Sequence, residues 1–109
     1  MNLNEYQEKA KSTAIYPENA KITYTALGLA GEAGEVANKV KKFIRDSYDR
    51  EQFEAKKLEL AAEIGDVLWY VANLTSDLDM SLSAIAAQNL DKLADRKNRN
   101  VIGGDGDTR

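Results

Sequence analysis

The 109-residue chain contains no histidine, no cysteine and a single proline. Without cysteine there can be no disulfide, cysteine-type zinc site, iron–sulfur cluster or thiol nucleophile. Without histidine, the commonest general base and the commonest transition-metal ligand are also missing. Acid–base chemistry is therefore left to carboxylates, lysine, tyrosine or metal-bound water. Any bound metal must be held by oxygen ligands, which suit Mg²⁺ or Mn²⁺ better than Zn²⁺.

The chain also lacks an excess of positive charge and a long apolar run. Its net charge of −3 is unlike that of general nucleic-acid binders, so we expect no nucleic-acid partner. No apolar run reaches the roughly 18 residues that a membrane span needs, so no membrane partner is expected. The N-terminal MNLNE is polar and acidic rather than signal-like. We therefore expect one domain over residues 1–109, in the cytoplasm.

Few chain breakers interrupt the sequence and no strand-like alternation is sustained, which predicts an all-α protein. Apolar residues at three- and four-residue spacing predict four helices, at about residues 3–13, 20–46, 50–77 and 82–98. Asp49, with Gln52 in a capping box, and Ser81 are the predicted N-caps of the last two helices. The Gly-rich end, about residues 100–109, is predicted to be a flexible tail.

The two long helices need more cover than one short chain provides. Helices of this length would measure about 40 Å at 1.5 Å per residue. The third helix reads LAAEIGDVLWYVANL over residues 60–74, apolar nearly all round, which is typical of a helix buried on most sides. The sequence therefore predicts an antiparallel helical bundle with two long central helices, completed by homo-oligomerisation, most simply as a two-fold dimer.

Pairs of carboxylates interrupt these apolar helices at two matching places. Glu32 and Glu35 lie three residues apart in the second helix. Glu63 and Asp66 have the same spacing in the third, so each pair shares one helix face. Because the two helices are consecutive and antiparallel, their midpoints should meet and the four carboxylates should converge.

Four carboxylates this close repel one another and cannot all ionise without a counter-charge. Hard oxygen ligands favour Mg²⁺, with Mn²⁺ as a possible substitute. A di-iron carboxylate bundle needs Glu-x-x-His motifs, which the absence of histidine excludes in their standard form. An all-carboxylate Mg²⁺ site leaves positions for water and phosphate oxygens, which indicates phosphate-ester or phosphoanhydride chemistry. Glu51 and Glu54 share the spacing but lie in a charged stretch, so we interpret them as a solvated face.

Other features near the acids have two interpretations. Glycines beside the carboxylates allow either close helix packing or room for a substrate: Gly31, Gly34 and Gly65. A basic cluster near the end of the fourth helix either complements its dipole or clamps phosphates: Lys92, Arg96, Lys97 and Arg99. Tyr70 lies on the acidic stripe, where it could touch a nucleobase, whereas Trp69 points away from it, towards a core or an interface.

These strings resemble the all-α nucleoside triphosphate pyrophosphohydrolases, the MazG-like group. The resemblance covers roughly residues 20–109. It is carried by GLAGEAGEVANKVKK at 28–42, ELAAEIGDVLWYVANL at 59–74, and NLDKLADR at 89–96 followed by the Gly-rich end. It does not choose between branches of the superfamily, which include MazG proteins, dimeric dUTPases, dCTPases and phosphoribosyl-ATP pyrophosphohydrolases.

The resemblance implies a bundle assembled as dimers or dimers of dimers, and Mg²⁺-dependent cleavage of an NTP or dNTP to an NMP and pyrophosphate. The catalytic metal ligands it implies are Glu32, Glu35, Glu63 and Asp66. The implied phosphate contacts are Lys39, Asn89, Lys92 and Arg96, and the nucleoside contacts are Tyr70 and Asn73. The alternative is a non-catalytic helical dimerisation module whose acidic residues are structural.

Overall fold

A computed structural model describes all of residues 1–109, and its regular elements are all helices, with no strand. The elements are α1 (Leu3–Lys11), a 3-10 turn (Glu18–Ala20), α2 (Thr23–Arg45), α3 (Arg50–Asp77) and α4 (Leu82–Asn98). The predicted all-α class is confirmed, and α3 and α4 have the predicted bounds. None of the helices combines the length and the apolar character that crossing a membrane requires.

Side chains at the predicted caps explain where α3 and α4 begin. The carboxylate of Asp49 accepts a hydrogen bond from the backbone N–H of Gln52 at 2.9 Å, and the Gln52 side chain accepts one in return at 3.0 Å. The hydroxyl of Ser81 accepts a hydrogen bond from the N–H of Ala84 at 3.2 Å. Each cap satisfies N–H groups that have no partner inside the helix, so both predicted starts are confirmed.

The long helices α2 and α3 run antiparallel and make the most extensive contact in the chain. The direction is clear from two contacts at opposite ends of the pair. The start of α2 meets the end of α3 where Thr25 donates a hydrogen bond to Asp77 at 2.9 Å. The end of α2 meets the start of α3 where the rings of Phe43 and Phe53 lie 5.4 Å apart. Helix α1 packs on α3, and α4 contacts both through its first turn, where Leu82 is buried.

The link from α1 to α2 differs from the sequence prediction, because α2 begins at Thr23 and not near residue 20. At Ile22 the backbone has φ 70° and ψ −57°, and the N–H of Thr23 donates to the carbonyl of Lys21 at 2.8 Å. This is a tight three-residue turn, in which a β-branched residue is strained.

The carboxylate of Asp77, at the end of α3, holds this turn in place. Its Oδ2 accepts hydrogen bonds from the N–H of Ile22 at 3.0 Å and from the hydroxyl of Thr25 at 2.9 Å. Its Oδ1 accepts one from the hydroxyl of Tyr16 at 2.7 Å. A negative charge at the start of α2 also matches the helix dipole. A residue from another helix therefore caps α2.

One copy of the chain has very little core. Only 7 of 109 residues are buried, and the apolar ones among them are Ala10, Ala72 and Leu82. The accessible surface is 7905 Å², against about 6,000 Å² for a compact monomer of this mass. The radius of gyration is 17.0 Å, against about 13 Å for a compact domain. Large apolar side chains on the long helices are left in solvent, such as Leu27 and Leu58, which are 69% and 83% exposed.

Replacing Asp77 with alanine is expected to lower the free energy of unfolding by about 2 kcal/mol or more. The change removes the acceptor of three hydrogen bonds and leaves the hydroxyl of Thr25, a fully buried residue, without its side-chain partner. Urea unfolding followed by circular dichroism measures the effect. Asp91→Ala, an exposed change on α4, is the control. Equal losses in the two variants would contradict this role of Asp77.

The pH dependence of that loss follows from the pKa of Asp77. Burial raises this pKa, but the hydrogen bonds from Ile22, Tyr16 and Thr25 outweigh it and the pKa is lowered. A lowered folded-state pKa gives stability that is complete above the unfolded pKa of about 3.9 and is lost as the pH falls through the folded value. The difference between wild type and Asp77→Ala should therefore shrink below about pH 4.

Candidate active site

Three of the four predicted carboxylates meet between α2 and α3. One oxygen each of Glu32, Glu63 and Asp66 lies within 4.8 Å of the others. Glu32 comes from the middle of α2, and the other two come from one face of α3, because residues three apart on a helix point the same way. We call these three residues the acid cluster.

Glu35 lies one turn beyond Glu32 and is exposed, outside the 4.8 Å group. Its charge still acts on the cluster. The pKa of Glu32 is raised by burial first, then by a hydrogen bond with Glu63 and by the negative charges of Asp66, Glu63 and Glu35. The negative charges thus add to the effect of burial on this pKa, as expected for neighbouring carboxylates. The place of Glu35 among the metal ligands stays a prediction.

The donor chemistry and spacing of the acid cluster fit Mg²⁺. Carboxylate oxygens are the hard donors that this ion takes, at about 2.0–2.1 Å, so two ligands on opposite sides lie about 4.2 Å apart. Oxygens within 4.8 Å of one another come close to that spacing. The nearest cation on the chain is Lys39, whose Nζ lies 3.8 Å from Oε1 of Glu63. One lysine at this distance balances only part of the charge of three carboxylates.

Tyr70 lies one turn beyond Asp66 on α3, and its ring packs directly on the backbone of α2 at Gly28. A Cβ at position 28 would overlap the ring of Tyr70. The pKa of Tyr70 is raised by burial first and then by Tyr24, with smaller contributions from the charges of Glu32 and Asp66. The ring is thus fixed beside the acid cluster, and a nucleoside contact by Tyr70 stays a prediction.

The glycines singled out in the sequence do not pack closely within one copy. A Cβ added at any of three positions would meet no atom within 4 Å: Gly31, Gly34 and Gly65. The close helix contact occurs at Gly28 instead, which the sequence analysis did not single out. Glycine spacing alone gave no signal for it, because the contact depends on how α2 and α3 are rotated against each other.

Asn73 and Trp69 face α1. Asn73 is 1% exposed, and its Nδ2 donates to the carbonyl oxygens of Trp69 at 3.1 Å and Ala10 at 3.4 Å. The indole N–H of Trp69 donates to the hydroxyl of Thr13 at 2.8 Å. Trp69 is therefore part of the α1–α3 contact. A nucleoside contact by Asn73 stays a prediction, and in this arrangement the side chain fastens α1 to α3.

The basic residues of α4 contact the C-terminal segment of the same chain. Lys92 donates to Oδ1 of Asp107 at 2.8 Å, and Arg96 donates to the same oxygen at 3.1 Å. Arg96 is only 5% exposed beneath this segment. Arg109 holds the segment by donating to the carbonyls of Val101 at 3.1 Å and Ile102 at 3.0 Å. The predicted tail thus lies folded against α4.

Within one copy, the α4 residues are not joined to the acid cluster. The only carboxylate that Lys92 and Arg96 pair with is Asp107. Asn89 is exposed and lines a shallow cavity with Lys92 and Asp107. Asp107 was missed as a partner because a Gly- and Asp-rich end is typical of a solvated tail.

Comparison with known proteins identifies the family of the chain. The family model described as the MazG nucleotide pyrophosphohydrolase domain matches residues 21–101. The chain belongs to the MazG family. A similar protein is the Gene 37 protein of Mycobacterium phage L5, which is 47% identical over 115 aligned residues, covering 100% of both chains. No solved structure matches the chain. The MazG domain contains the whole acid cluster, and the resemblance drawn from the sequence strings is confirmed.

Gly28→Ala is expected to destabilise the MazG domain by about 1–3 kcal/mol, because the added methyl group overlaps the ring of Tyr70. Gly31→Ala is the matched control, since position 31 opens to free space and alanine favours a helix by up to about 1 kcal/mol. Thermal and urea unfolding measure both variants. A Gly28→Ala protein as stable as Gly31→Ala would refute the close contact.

Proposed function

We propose that the chain is a Mg²⁺-dependent nucleoside triphosphate pyrophosphohydrolase. It cleaves an NTP or dNTP between the α and β phosphates and releases an NMP and pyrophosphate. The observation that carries this proposal is the acid cluster, three carboxylates within 4.8 Å on two packed helices. Membership of the MazG family supports nucleotide pyrophosphohydrolase activity. The absence of histidine and cysteine supports oxygen-ligand metal chemistry over the alternatives.

The acid cluster would hold the metal, with Glu35 completing the set, and Mn²⁺ could substitute. Bound Mg²⁺ would supply positive charge to the phosphates and acidify a water molecule. The chain's own carboxylates orient the attacking water, and one of them accepts its proton. The water oxygen bonds to the α-phosphorus as the P–O bond to the bridging oxygen breaks, and the electron pair leaves with pyrophosphate. Because the carboxylates project from helices, they are positioned before substrate arrives.

Substrate contacts follow from the position of each residue relative to the acid cluster. Lys39 lies beside Glu63 and contacts a phosphate, and Tyr70 contacts the nucleoside. The remaining contacts rest on the family resemblance: Asn73, Asn89, Lys92 and Arg96. The last three lie on α4, away from the cluster of their own copy, and would reach a substrate from a neighbouring copy.

The same chain is proposed to assemble as a homo-oligomer, a dimer or a dimer of dimers. The surface of one copy exceeds that of a compact monomer by about 1,900 Å². If each of two copies lost this excess, the interface would bury about 3,800 Å² in total, which lies within the roughly 2,000–5,000 Å² range of obligate homodimers. The exposed apolar residues of α2 and α3 supply the chemistry for such a contact. We propose action in the cytoplasm, with a nucleotide and no nucleic acid or membrane as partner.

Glu63→Gln is expected to lower pyrophosphate release from NTPs and dNTPs by roughly a hundredfold or more, as losing one charge-stabilising group commonly does. The assay is a panel of NTPs and dNTPs with Mg²⁺ and pyrophosphate detection. Glu51→Gln is the matched control, because it makes the same chemical change in the acidic pair at the solvated start of α3. The proposed enzyme activity would be refuted if Glu63→Gln kept full activity, or if wild type released no pyrophosphate from any nucleotide.

The alternative, a non-catalytic dimerisation module, differs in its response to metal. The metal site of an enzyme raises the melting temperature when Mg²⁺ or Mn²⁺ is added, and the double variant Glu35→Gln/Asp66→Asn removes that rise. A scaffold with structural carboxylates is indifferent to both ions.

Oligomerisation is expected to depend on the apolar face of α3. Ile64, which is 55% exposed in one copy, lies next to Glu63 on that helix. Size-exclusion chromatography with light scattering should give a multiple of 12.1 kDa for wild type and a smaller species for Ile64→Lys. Ile15→Lys, a change at a 94% exposed residue outside the long helices, serves as the control. If wild type were a 12.1 kDa monomer at micromolar concentration, the proposed assembly would be wrong.

A further inference from the structure

A small cavity lies beside the acid cluster, between the second half of α2 and the first half of α3. It is open to solvent, has a volume of about 140 Å³ and is lined by Lys39, Lys42, Phe43, Tyr48, Lys56 and Glu59. Lys39 belongs to both places, because its ammonium group lies 3.8 Å from Glu63 of the acid cluster. The cavity therefore opens next to the carboxylates and is not a separate feature of the surface.

Positive charge in this lysine cavity is only partly balanced. Three lysines and one carboxylate line it, and only one further carboxylate, Glu63, pairs with any of these lysines, in a chain whose net charge is −3. Lys56 is paired weakly with Glu59, at 3.5 Å. Lys42 has no ion-pair partner. Such a concentration of ammonium groups is suited to an anion with several oxygens.

The size and walls of the lysine cavity restrict that anion. Binding sites for nucleoside-sized ligands enclose about 300–1,000 Å³, so a cavity of about 140 Å³ suits a small oxyanion. One wall is made of packed aromatic rings, with Phe43 and Tyr48 at 5.1 Å between centroids. A third ring, that of Phe53, packs edge-on against Phe43 at 5.4 Å. These contacts fix the apolar wall.

The lysine cavity and the tyrosines lie on opposite sides of the acid cluster along the α2–α3 pair. Lys42 follows Glu32 by ten residues on α2, about 15 Å at 1.5 Å per residue. Tyr24 precedes Glu32 by eight residues, about 12 Å in the other direction. Its ring lies 6.3 Å from that of Tyr70. The pair of helices thus has a cationic end, an acidic middle and an aromatic end.

We infer that the lysine cavity binds the pyrophosphate end of the substrate, with the nucleoside directed towards Tyr24 and Tyr70. The inference rests on the proposed function and gives the substrate a direction along the two helices. Cleavage at the acid cluster then leaves pyrophosphate among Lys39, Lys42 and Lys56, and the NMP at the aromatic end. The cations of α4 are a poorer match within one copy, because Asp107 already neutralises Lys92 and Arg96.

The test is calorimetric titration of pyrophosphate into the protein with EDTA present, so that the acid cluster holds no metal. The double variant Lys42→Ala/Lys56→Ala should bind pyrophosphate about tenfold more weakly than wild type. The matched control is Lys41→Ala/Lys57→Ala, which removes the same charge from exposed lysines next to the cavity residues. It should lose no more than about twofold, because long-range attraction between exposed charges is screened by salt.

Three outcomes overturn the inference: no binding of pyrophosphate by wild type, no loss in the cavity variant, or the same loss in both double variants. Circular dichroism and melting temperature verify that the variants are folded. If the double variant does not fold, Lys42→Met keeps the aliphatic stem, removes the unpaired charge and is judged by the same titration.

A kinetic arm separates failure of this inference from failure of the proposed function. Pyrophosphate should inhibit NTP cleavage by the cavity variant about tenfold less effectively than by wild type, while inhibition by the NMP stays unchanged. If wild type is active and pyrophosphate inhibits it and the cavity variant equally, the inference about the lysine cavity is wrong and the proposed function stands. If wild type cleaves no nucleotide, the proposed function fails, and the metal-free titration still decides whether the cavity binds pyrophosphate.

Discussion

The carboxylates of Glu32, Glu63 and Asp66 repel one another, and the antiparallel packing of α2 on α3 holds Glu32 beside the other two. The same packing sets what lies to either side of them. At one end it presses Tyr70 onto Gly28, and at the other it encloses Lys39 and Lys56 around a small cavity. The electrostatic cost of the acid cluster is therefore met by contacts elsewhere along the helices. A cation that binds the carboxylates would reduce that cost, so metal binding and helix packing support each other.

Helix α1 contributes no residue to the acid cluster, and its side chains stabilise the packing of the other helices. The side chain of Gln7 donates to the carbonyl of Met80 at 2.9 Å and accepts from the N–H of Leu82 at 2.8 Å, which fastens α1 across the turn between α3 and α4. Asp77 adds the link from the end of α3 to the start of α2. These contacts brace the aromatic end of the long pair, where the nucleoside is proposed to bind.

The parts of the fold that were predictable are those whose causes lie close together in the sequence. The start of α3 depends on Asp49 and Gln52, three residues apart, and the start of α4 on Ser81. The meeting of Glu32 with Glu63 and Asp66 followed from their spacing and from the antiparallel direction that a short link imposes. The start of α2 was misplaced because its cap, Asp77, lies 55 residues from Ile22.

Within the site, too, the features that could not be predicted depend on residues far apart in the sequence. The Gly28–Tyr70 contact depends on the rotation of two helices about their axes, which neither helix specifies alone. The pairing of Asp107 with Lys92 and Arg96 depends on the path of an irregular segment, and no periodicity describes such a segment. The position of Glu35 outside the 4.8 Å group also lies beyond spacing rules, because Glu63 and Asp66 have the same spacing and both belong to the group.

The small core has a consequence for how the protein behaves at low abundance. A chain that buries only Ala10, Ala72 and Leu82 as apolar residues gains little free energy by folding alone. In the proposed assembly, folding and association become a single step, and stability then rises with the concentration of the chain itself. Newly made copies would stay open to proteolysis until enough of them had accumulated to pair. Active protein would then increase more steeply than total protein, giving the activity a threshold set by expression level.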